Sequence, residues 1–539
     1  MSSRDSIPEQ DVPVLIAGGG MVGLCAAAFL AQHGIPSLAI ERLPNTSPLP
    51  RAAFFHMRTL EMFRSLGIEQ AVRTGSARDF VPEGSIVAME SLAGLKLADI
   101  MPSLNEGVAA LSPCRRLYLN QPNLEPILRE YALEAGASLI EGAGIEDVWQ
   151  DADWVYVIAR EVTSGRLRTF RGAYLIAADG GHSRVRERLG IHYEGRGAFS
   201  NSVTIYFSAD LSPWLAGRAW SIIYINNPVL RGFFRVNRAA QAGFLAVNVA
   251  GDPARDPHGE IDPSADLSEA HLVELVRAGV GVPDLPVRID GFARWRASAC
   301  VAEKFQQGRI FIAGDAAHLM PPNGGFGGNT GIHDAHNLAW KLALVIRGHA
   351  PPQLLDTYTC ERKPVAEFTV GQAFTRYVLR TAPWLEREAI DPQVDDFEIE
   401  LGYLYGVPGK IHADPHNTHG MPGSRAPHVW IKRLGERLST LDLFGNYVLL
   451  VGPDGDPWIR AAADVRSVFP HLPLDVYRLG RDFHDEQGEF CASYGLTDSG
   501  ACLVRPDGFV AWRSRGATAV PGHDLRAALD FSLGRATTP

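Results

Sequence analysis

Gly18-Gly19-Gly20-Met21-Val22-Gly23 is the first segment whose residue types and spacing could do chemistry. It follows the apolar run Val14-Leu15-Ile16-Ala17 and opens an alanine-rich stretch from about Gly20 to His33. At this spacing Gly18 permits a tight turn, Gly20 lets a pyrophosphate approach the backbone, and Gly23 lets a helix pack closely on a strand. The free N–H groups and dipole at the helix start would then hold phosphate oxygens. Glu41 stands 18 residues past Gly23, at the end of the run Ser37-Leu38-Ala39-Ile40, placed to accept a ribose hydroxyl. A glycine turn that merely packs tightly would not need that acid. The motif selects a dinucleotide without choosing between FAD and NAD.

Two later segments carry similar chemistry. Ala178-Asp179-Gly180-Gly181-His182-Ser183-Arg184 follows the apolar run Tyr174-Leu175-Ile176-Ala177, where an Asp-Gly pair by itself is an ordinary turn. Arg309-Ile310-Phe311-Ile312-Ala313-Gly314-Asp315 runs a strand into Gly-Asp, and the small residues after Asp315 are expected to open a helix. Asp315 can hydrogen-bond a ribityl or ribose hydroxyl. Pro321-Pro322-Asn323-Gly324-Gly325-Phe326-Gly327-Gly328-Asn329 follows, and so many glycines ahead of a helix would present backbone N–H groups to a flat, partly anionic ligand. His318, His333 and His336 lack the accompanying residues of a known metal class, so no metal is expected.

The elements that must position these residues follow from pattern. Strand, glycine loop, helix and strand over residues 12–41 form a βαβ unit and imply a parallel sheet. Helices are expected around Leu60-Met62-Phe63-Leu66 and from Leu124 to Ala135. From Asn201 to Val249 the pattern becomes alternating and aromatic-rich, the mark of a mixed or antiparallel sheet, and a long helix is expected through Lys341. The Gly-, Pro- and His-rich stretch 405–428 reads as an irregular connection. Beyond it come a strand at Tyr447–Val451, a helix at Trp458–Phe469 and a hairpin closed by Pro506-Asp507-Gly508.

Composition sets the class. With 539 residues, two or more domains are expected; 46% hydrophobic and 21% charged residues make ordinary globular material. A net charge of −10 with no Lys/Arg stripe excludes a nucleic-acid partner. The six cysteines form no Cys-x-x-Cys pair, which fits a reducing compartment and a cytoplasmic location. Val12 to Ala31 is apolar, but its glycines and the acidic flank Asp5, Glu9, Asp11 argue against a membrane span or signal peptide.

In this order the three motifs, with the segment ending Asp334-Ala335-His336-Asn337-Leu338-Ala339-Trp340-Lys341, resemble the group A flavoprotein monooxygenases related to p-hydroxybenzoate hydroxylase. Pro50-Arg51-Ala52, Asn120-Gln121-Pro122 and Tyr358 to Pro364 also match, so the resemblance covers roughly residues 12–375. Gly423 to His428 and Leu503 to Arg513 resemble the tail of the phenol and aromatic-polyketide hydroxylase branch. The fold this implies is α/β: a GR2-type Rossmann-like FAD-binding domain over 1–400, with a mixed β-sheet substrate part inserted at about 80–115 and 190–295. A linker at 401–428 and a thioredoxin-like domain at 429–539, without Cys-x-x-Cys, complete it.

The resemblance implies that FAD is bound non-covalently. Gly18, Gly20, Met21, Val22, Gly23, Glu41 and Arg42 would hold its ADP half, Arg51 the pyrophosphate or ribose, and Gln121 and Asp315 the ribityl chain. Asp179-Gly180 would serve both FAD and the pyridine nucleotide, Gly314 would bind the cofactor beside Asp315, and Gly325, Gly327, Gly328 and Asn329 would flank the isoalloxazine. Pro322 would line the substrate face of the flavin; no catalytic residue or general base is implied at a fixed position. The implied reaction is reduction by NADPH or NADH, then O2 addition and delivery of hydroxyl to a phenol-like ring from a C4a-hydroperoxyflavin. A homodimer is left open. Baeyer–Villiger or ring-cleaving oxygenation, and a non-catalytic FAD-binding protein, remain alternatives. Residues 200–250 have only Arg218, Arg231, Arg235 and Arg238 as cations, and the chain has the longer branch's tail. A bulky, fused-ring or substituted phenol is therefore expected in preference to a small benzoate, which would need a buried arginine.

Overall fold

The computed structural model describes residues 7–45, 53–81, 83–251, 261–385 and 390–536. Gln10–Ala17 is a strand, Met21–Gln32 a helix and Ser37–Glu41 a strand parallel to the first, as the βαβ pattern requires. The strands read as unbroken apolar runs because both faces are covered: Val14, Leu15, Ile16 and Leu38 are fully buried. Leu167–Ala177 pairs in parallel on the other side of Gln10–Ala17, and Ile310–Ile312 lies beyond it, again parallel. The register sets Ala17 opposite Ala177, and Ala177 opposite Ile312. The three motifs begin just past these strand ends, so the sheet gathers them at one carboxyl edge. Ligands of open α/β sheets bind at such an edge.

The helix expected directly after Asp315 does not form. Gly314–Ala316 makes one 3-10 turn, His318–Leu319 a short strand, and the long helix starts only at Phe326 and runs to Ile346. Pro321 and Pro322 lack the N–H a helix ladder would use there. Gly324 and Gly325 take positive φ of 93° and 70°, which side chains resist, and Gly325 caps the helix. Val12 to Ala31 divides into a strand and a helix, and no helix of the described residues is long and apolar enough to cross a membrane.

Among the described residues a second, mixed sheet of eight strands is drawn from residues 85–101, 193–302 and 318–319. Side chains alternate between its faces. Val203, Ile205, Phe207, Phe234, Leu245 and Val247 face a core closed by Leu272, Leu275 and Val276 of the helix Glu269–Val280. Tyr206, Phe233 and Phe244 form a chain of ring contacts on the opposite face.

Downstream, Tyr447–Val451 pairs in parallel with Leu474–Arg478 and antiparallel with Ala501–Val504, which forms the expected hairpin with Val510–Ser514. Helices Asp456–Val468 and Pro521–Ser532 supply Trp458, Leu525 and Leu529 to a core shared with Trp340 and Leu344 of the long helix. The stretch 401–428 has little regular structure yet is tightly packed. Tyr405 stacks on Phe509 at 4.2 Å, and Arg425 is buried against Glu61.

Candidate active site

A cavity of about 690 Å3 runs from the carboxyl edge of the parallel sheet to the aromatic face of the mixed sheet. At the first end lie Gly18, Gly20, Met21 and Val22, with Glu41 and Arg42 beside them. Glu41 Oε2 accepts from Gly19 N at 2.6 Å and Oε1 from Leu43 N at 2.8 Å, so the loop fixes its carboxylate. A carboxylate offers about four acceptor positions, enough to take ribose hydroxyls as well. Gly23 stands behind the wall, where a Cβ would meet Gly18 O at 2.0 Å. Arg51 lies outside the described residues.

Along the middle are Gln121, Asp179, Gly180 and Asp315. Gln121 Nε2 donates to Glu125 Oε1 at 2.6 Å. Gly314, expected at the cofactor, does not line the cavity; it lies behind Asp315, and its N–H donates to Asp334 Oδ2 at 3.1 Å. His318 Nε2 at 2.8 Å and Arg362 Nε at 2.8 Å also meet the Asp334 carboxylate. Burial pushes the Asp334 pKa up, but Arg362 and His318 outweigh it and hold the group ionised. That buried triad pins the turn carrying Asp315.

Pro322, Gly325, Gly327 and Gly328 line the passage toward the second end. Asn329 does not; its side chain accepts from His56 N and Thr59 Oγ1 and donates to Phe54 O and Gly325 O, bracing the glycine turn from behind. His333 bonds Thr59 Oγ1 and His336 packs edge-on against Phe29. Among the described residues no three His, Cys, Asp or Glu side chains gather as a metal site.

Of the aromatic residues of 200–250, which by sequence are candidates for a pocket wall, Tyr224 and Phe233 do line the second end, whereas Tyr118, Phe244, Ile86 and Ile222 are added by the structure. Phe207 and Phe234 belong to the core instead. Arg235 lines the cavity and is only 5% exposed, so the expectation of a pocket without a buried arginine is overturned. Strand parity was the available signal: Arg235 is two residues from Phe233 and so shares its face.

The dinucleotide end fits FAD on its own features. Gly18 has φ of 100°, and a Cβ there would lie 2.4 Å from Ala178 O, so strand, loop and Asp179 segment meet with no room for a side chain. Asp179 Oδ1 is buried without a partner while Oδ2 accepts from Val185 N at 3.3 Å. Burial pushes the Asp179 pKa up, and an alcohol donor at Oδ1 would satisfy it.

Fold and site together define a dinucleotide-binding oxidoreductase, and comparison with known proteins names its family. Residues 11–373 match the FAD binding domain family, and residues 419–536 match the aromatic-ring hydroxylase C-terminal family. The chain belongs to the FAD-dependent aromatic-ring hydroxylase family and is an FAD-dependent monooxygenase. It is 48% identical to a 4-methyl-5-nitrocatechol 5-monooxygenase from Burkholderia sp, over 98% of each chain. It is 37% identical to tetracenomycin A2 monooxygenase-dioxygenase from Streptomyces glaucescens, over 98% of this chain and 97% of that one. A crystal structure of aklavinone-11 hydroxylase with FAD and aklavinone superposes with a TM-score of 0.90 at 34% identity, covering 98% and 99% of the two chains.

Proposed function

We propose that this enzyme uses NADPH or NADH and O2 to hydroxylate a substituted or fused-ring phenol beside an oxygen substituent. The observation that carries this reading is one continuous cavity joining the glycine loop to an aromatic wall. When bound, FAD supplies electron storage and the activation of O2; the chain supplies orientation and dryness. Gly18 to Val22, Glu41 and Arg42 would hold the ADP half, and Gln121, Asp179 and Asp315 would hold ribityl and ribose hydroxyls. Gly325, Gly327 and Gly328 would offer backbone to the flavin ring, and Pro322 would line its substrate side. Tyr224, Phe233, Phe244, Ile86 and Ile222 form walls that exclude water, which protects a reactive oxygen donor from unproductive breakdown.

The names of the relatives, a nitrocatechol monooxygenase and a tetracenomycin enzyme, support phenolic substrates of different size. The four-stranded sheet with packed helices supports a thioredoxin-like reading of the C-terminal unit, with a structural role, since Cys491 and Cys502 are far from a Cys-x-x-Cys spacing. Unpaired Cys25, Cys114, Cys300, Cys360, Cys491 and Cys502 agree with a reducing, cytoplasmic location.

The test is a panel of substituted catechols, polycyclic phenols and simple benzoates, each given to the FAD-loaded enzyme with NADPH. Substituted or polycyclic phenols should accelerate flavin reduction, with oxygen consumed in step with hydroxylated product. Efficient coupling on simple benzoates, with no response to the larger phenols, would refute the assignment.

A further inference from the structure

The substrate end of the cavity holds a charge that has no counter-ion among the described residues. Arg235 sits on the strand Leu230–Val236, on the cavity face with Phe233, while Phe234 between them enters the core. Its guanidinium carbon lies 4.3 Å from the centre of the Phe80 ring, 5.5 Å from that of Tyr118 and 5.7 Å from that of Phe244. One Nη donates to the Asn120 side-chain oxygen, a neutral acceptor. Nε is buried with no hydrogen-bond partner, and among the described residues Arg235 forms no ion pair with a carboxylate. Beside it the Tyr118 hydroxyl is also buried without a partner, and Tyr118 lines the same cavity.

Leaving a cation and a hydroxyl unsatisfied in an aromatic cage is costly unless something else completes them. Three ring faces offset part of the charge, but cation–π attraction does not replace hydrogen bonds to an anion. The groups acting on Arg235 are Tyr118, Asp79 and Tyr206, and Asp79 is already engaged by Arg78 and Asn123. Burial pulls the Arg235 pKa down to about 10, which still leaves it protonated at neutral pH. Elsewhere on the cavity wall Asp396 and Glu400 are matched by Arg376 and Arg116. Arg235 is therefore a fixed cation facing a ligand site.

We propose that Arg235, with the Tyr118 hydroxyl, is the substrate-binding residue that selects phenols in their anionic form by receiving a phenolate or similarly charged oxygen. An opposite charge at hydrogen-bond distance favours the ionised phenol, whose proton passes to solvent water. A phenolate ring is more electron-rich than the phenol, so one contact serves both recognition and reactivity toward an electrophilic oxygen. A neutral aryl ether of the same shape would leave the cation uncompensated and bind poorly.

This inference rests on the hydroxylase reading for the identity of the ligand, and the experiment separates the two. The FAD-loaded enzyme is titrated with 4-nitrocatechol and with its dimethyl ether, following flavin absorbance and the nitrocatechol's own phenol–phenolate bands. In the unchanged protein the nitrocatechol should bind as the phenolate, at a pH where the free compound is partly protonated. Arg235→Met should weaken nitrocatechol binding by about tenfold or more and abolish the band shift, while the dimethyl ether, relieved of an uncompensated cation, binds no worse and gains relative to nitrocatechol. Arg235→Lys should recover part of the shift. Tyr118→Phe, which removes only the hydroxyl, should weaken nitrocatechol alone and covers the case in which Arg235→Met does not fold. Equal weakening of both probes, or anionic binding that ignores both side chains, overturns the proposal. Arg235-dependent discrimination with no phenol able to speed NADPH oxidation would keep the anion site and sink the hydroxylase reading. Phenol-stimulated oxygen uptake indifferent to Arg235 would do the reverse.

Discussion

Asp315 and Gly18 show how differently two residues of one site can act. Asp315 is exposed on the cavity wall, at the turn pinned by Asp334, so a ligand in the cavity can reach its carboxylate. Asp315→Ala should weaken FAD binding by roughly the 1.5–3 kcal/mol of a charge-assisted hydrogen bond, with the melting temperature of the FAD-free protein little changed. Titration of FAD into the apoprotein checks both; wild-type affinity would remove Asp315 from the FAD site. Gly18→Ala acts on the scaffold instead. It puts a Cβ against Ala178 O at a φ of 100° and should cost about 1–3 kcal/mol of stability before any ligand is considered. An FAD-free variant that melts at the wild-type temperature would show that the crossing is looser than its geometry indicates.

At the scale of elements, buried ion pairs tie the C-terminal part to the FAD-binding part. Glu61, on the helix Met57–Ser65, meets Arg58 at 3.0 Å and Arg425 at 2.5 Å and accepts from Ser112 Oγ at 2.6 Å. Glu361 likewise joins Lys341 at 2.8 Å and Arg505 at 2.5 Å. Removing one partner of such a set strands the others without compensation. Glu61→Ala should therefore cost about 3–5 kcal/mol, read from the urea midpoint of the full chain. A loss below about 1 kcal/mol would mean that the shared apolar core around Trp340 and Trp458 holds the units together unaided.

For the molecule as a whole, buried imidazoles set the acid limit. Burial drives His333 and His336 well below 6.5, and drives His33 and His428 down to about 4. In the unfolded chain these groups take up protons near pH 6.5, whereas the folded protein keeps them neutral. The unfolded state therefore binds more protons as pH falls from 6.5 toward 4, and stability is lost across that window. Carboxylates held low in the fold, Glu61 and Asp334 among them, add a second loss at more acidic pH. The melting temperature should decline steadily between pH 6.5 and 5. An unchanged value over that range would contradict the neutral burial of these histidines.

The local physics of residues 14–41 is legible from sequence because one short segment contains the whole instruction. Apolar strand, three spaced glycines, alanine-rich helix and terminal acid each have a near-neighbour cause, and the structure follows them. The same holds for the Asp507-Gly508 hairpin, where Gly508 takes a φ of 78°. The helix misplaced after Asp315 failed because two prolines and two positive-φ glycines outweighed the small residues before them. What the sequence alone could not decide is juxtaposition. Parallel pairing of Ala17, Ala177 and Ile312 joins motifs that are far apart in the chain, and only long-range packing sets that register. Arg235 makes the point most sharply: by type it is an ordinary surface residue. Strand parity and the closure of Phe80, Tyr118 and Phe244 around it turn it into a buried cation on a cavity wall.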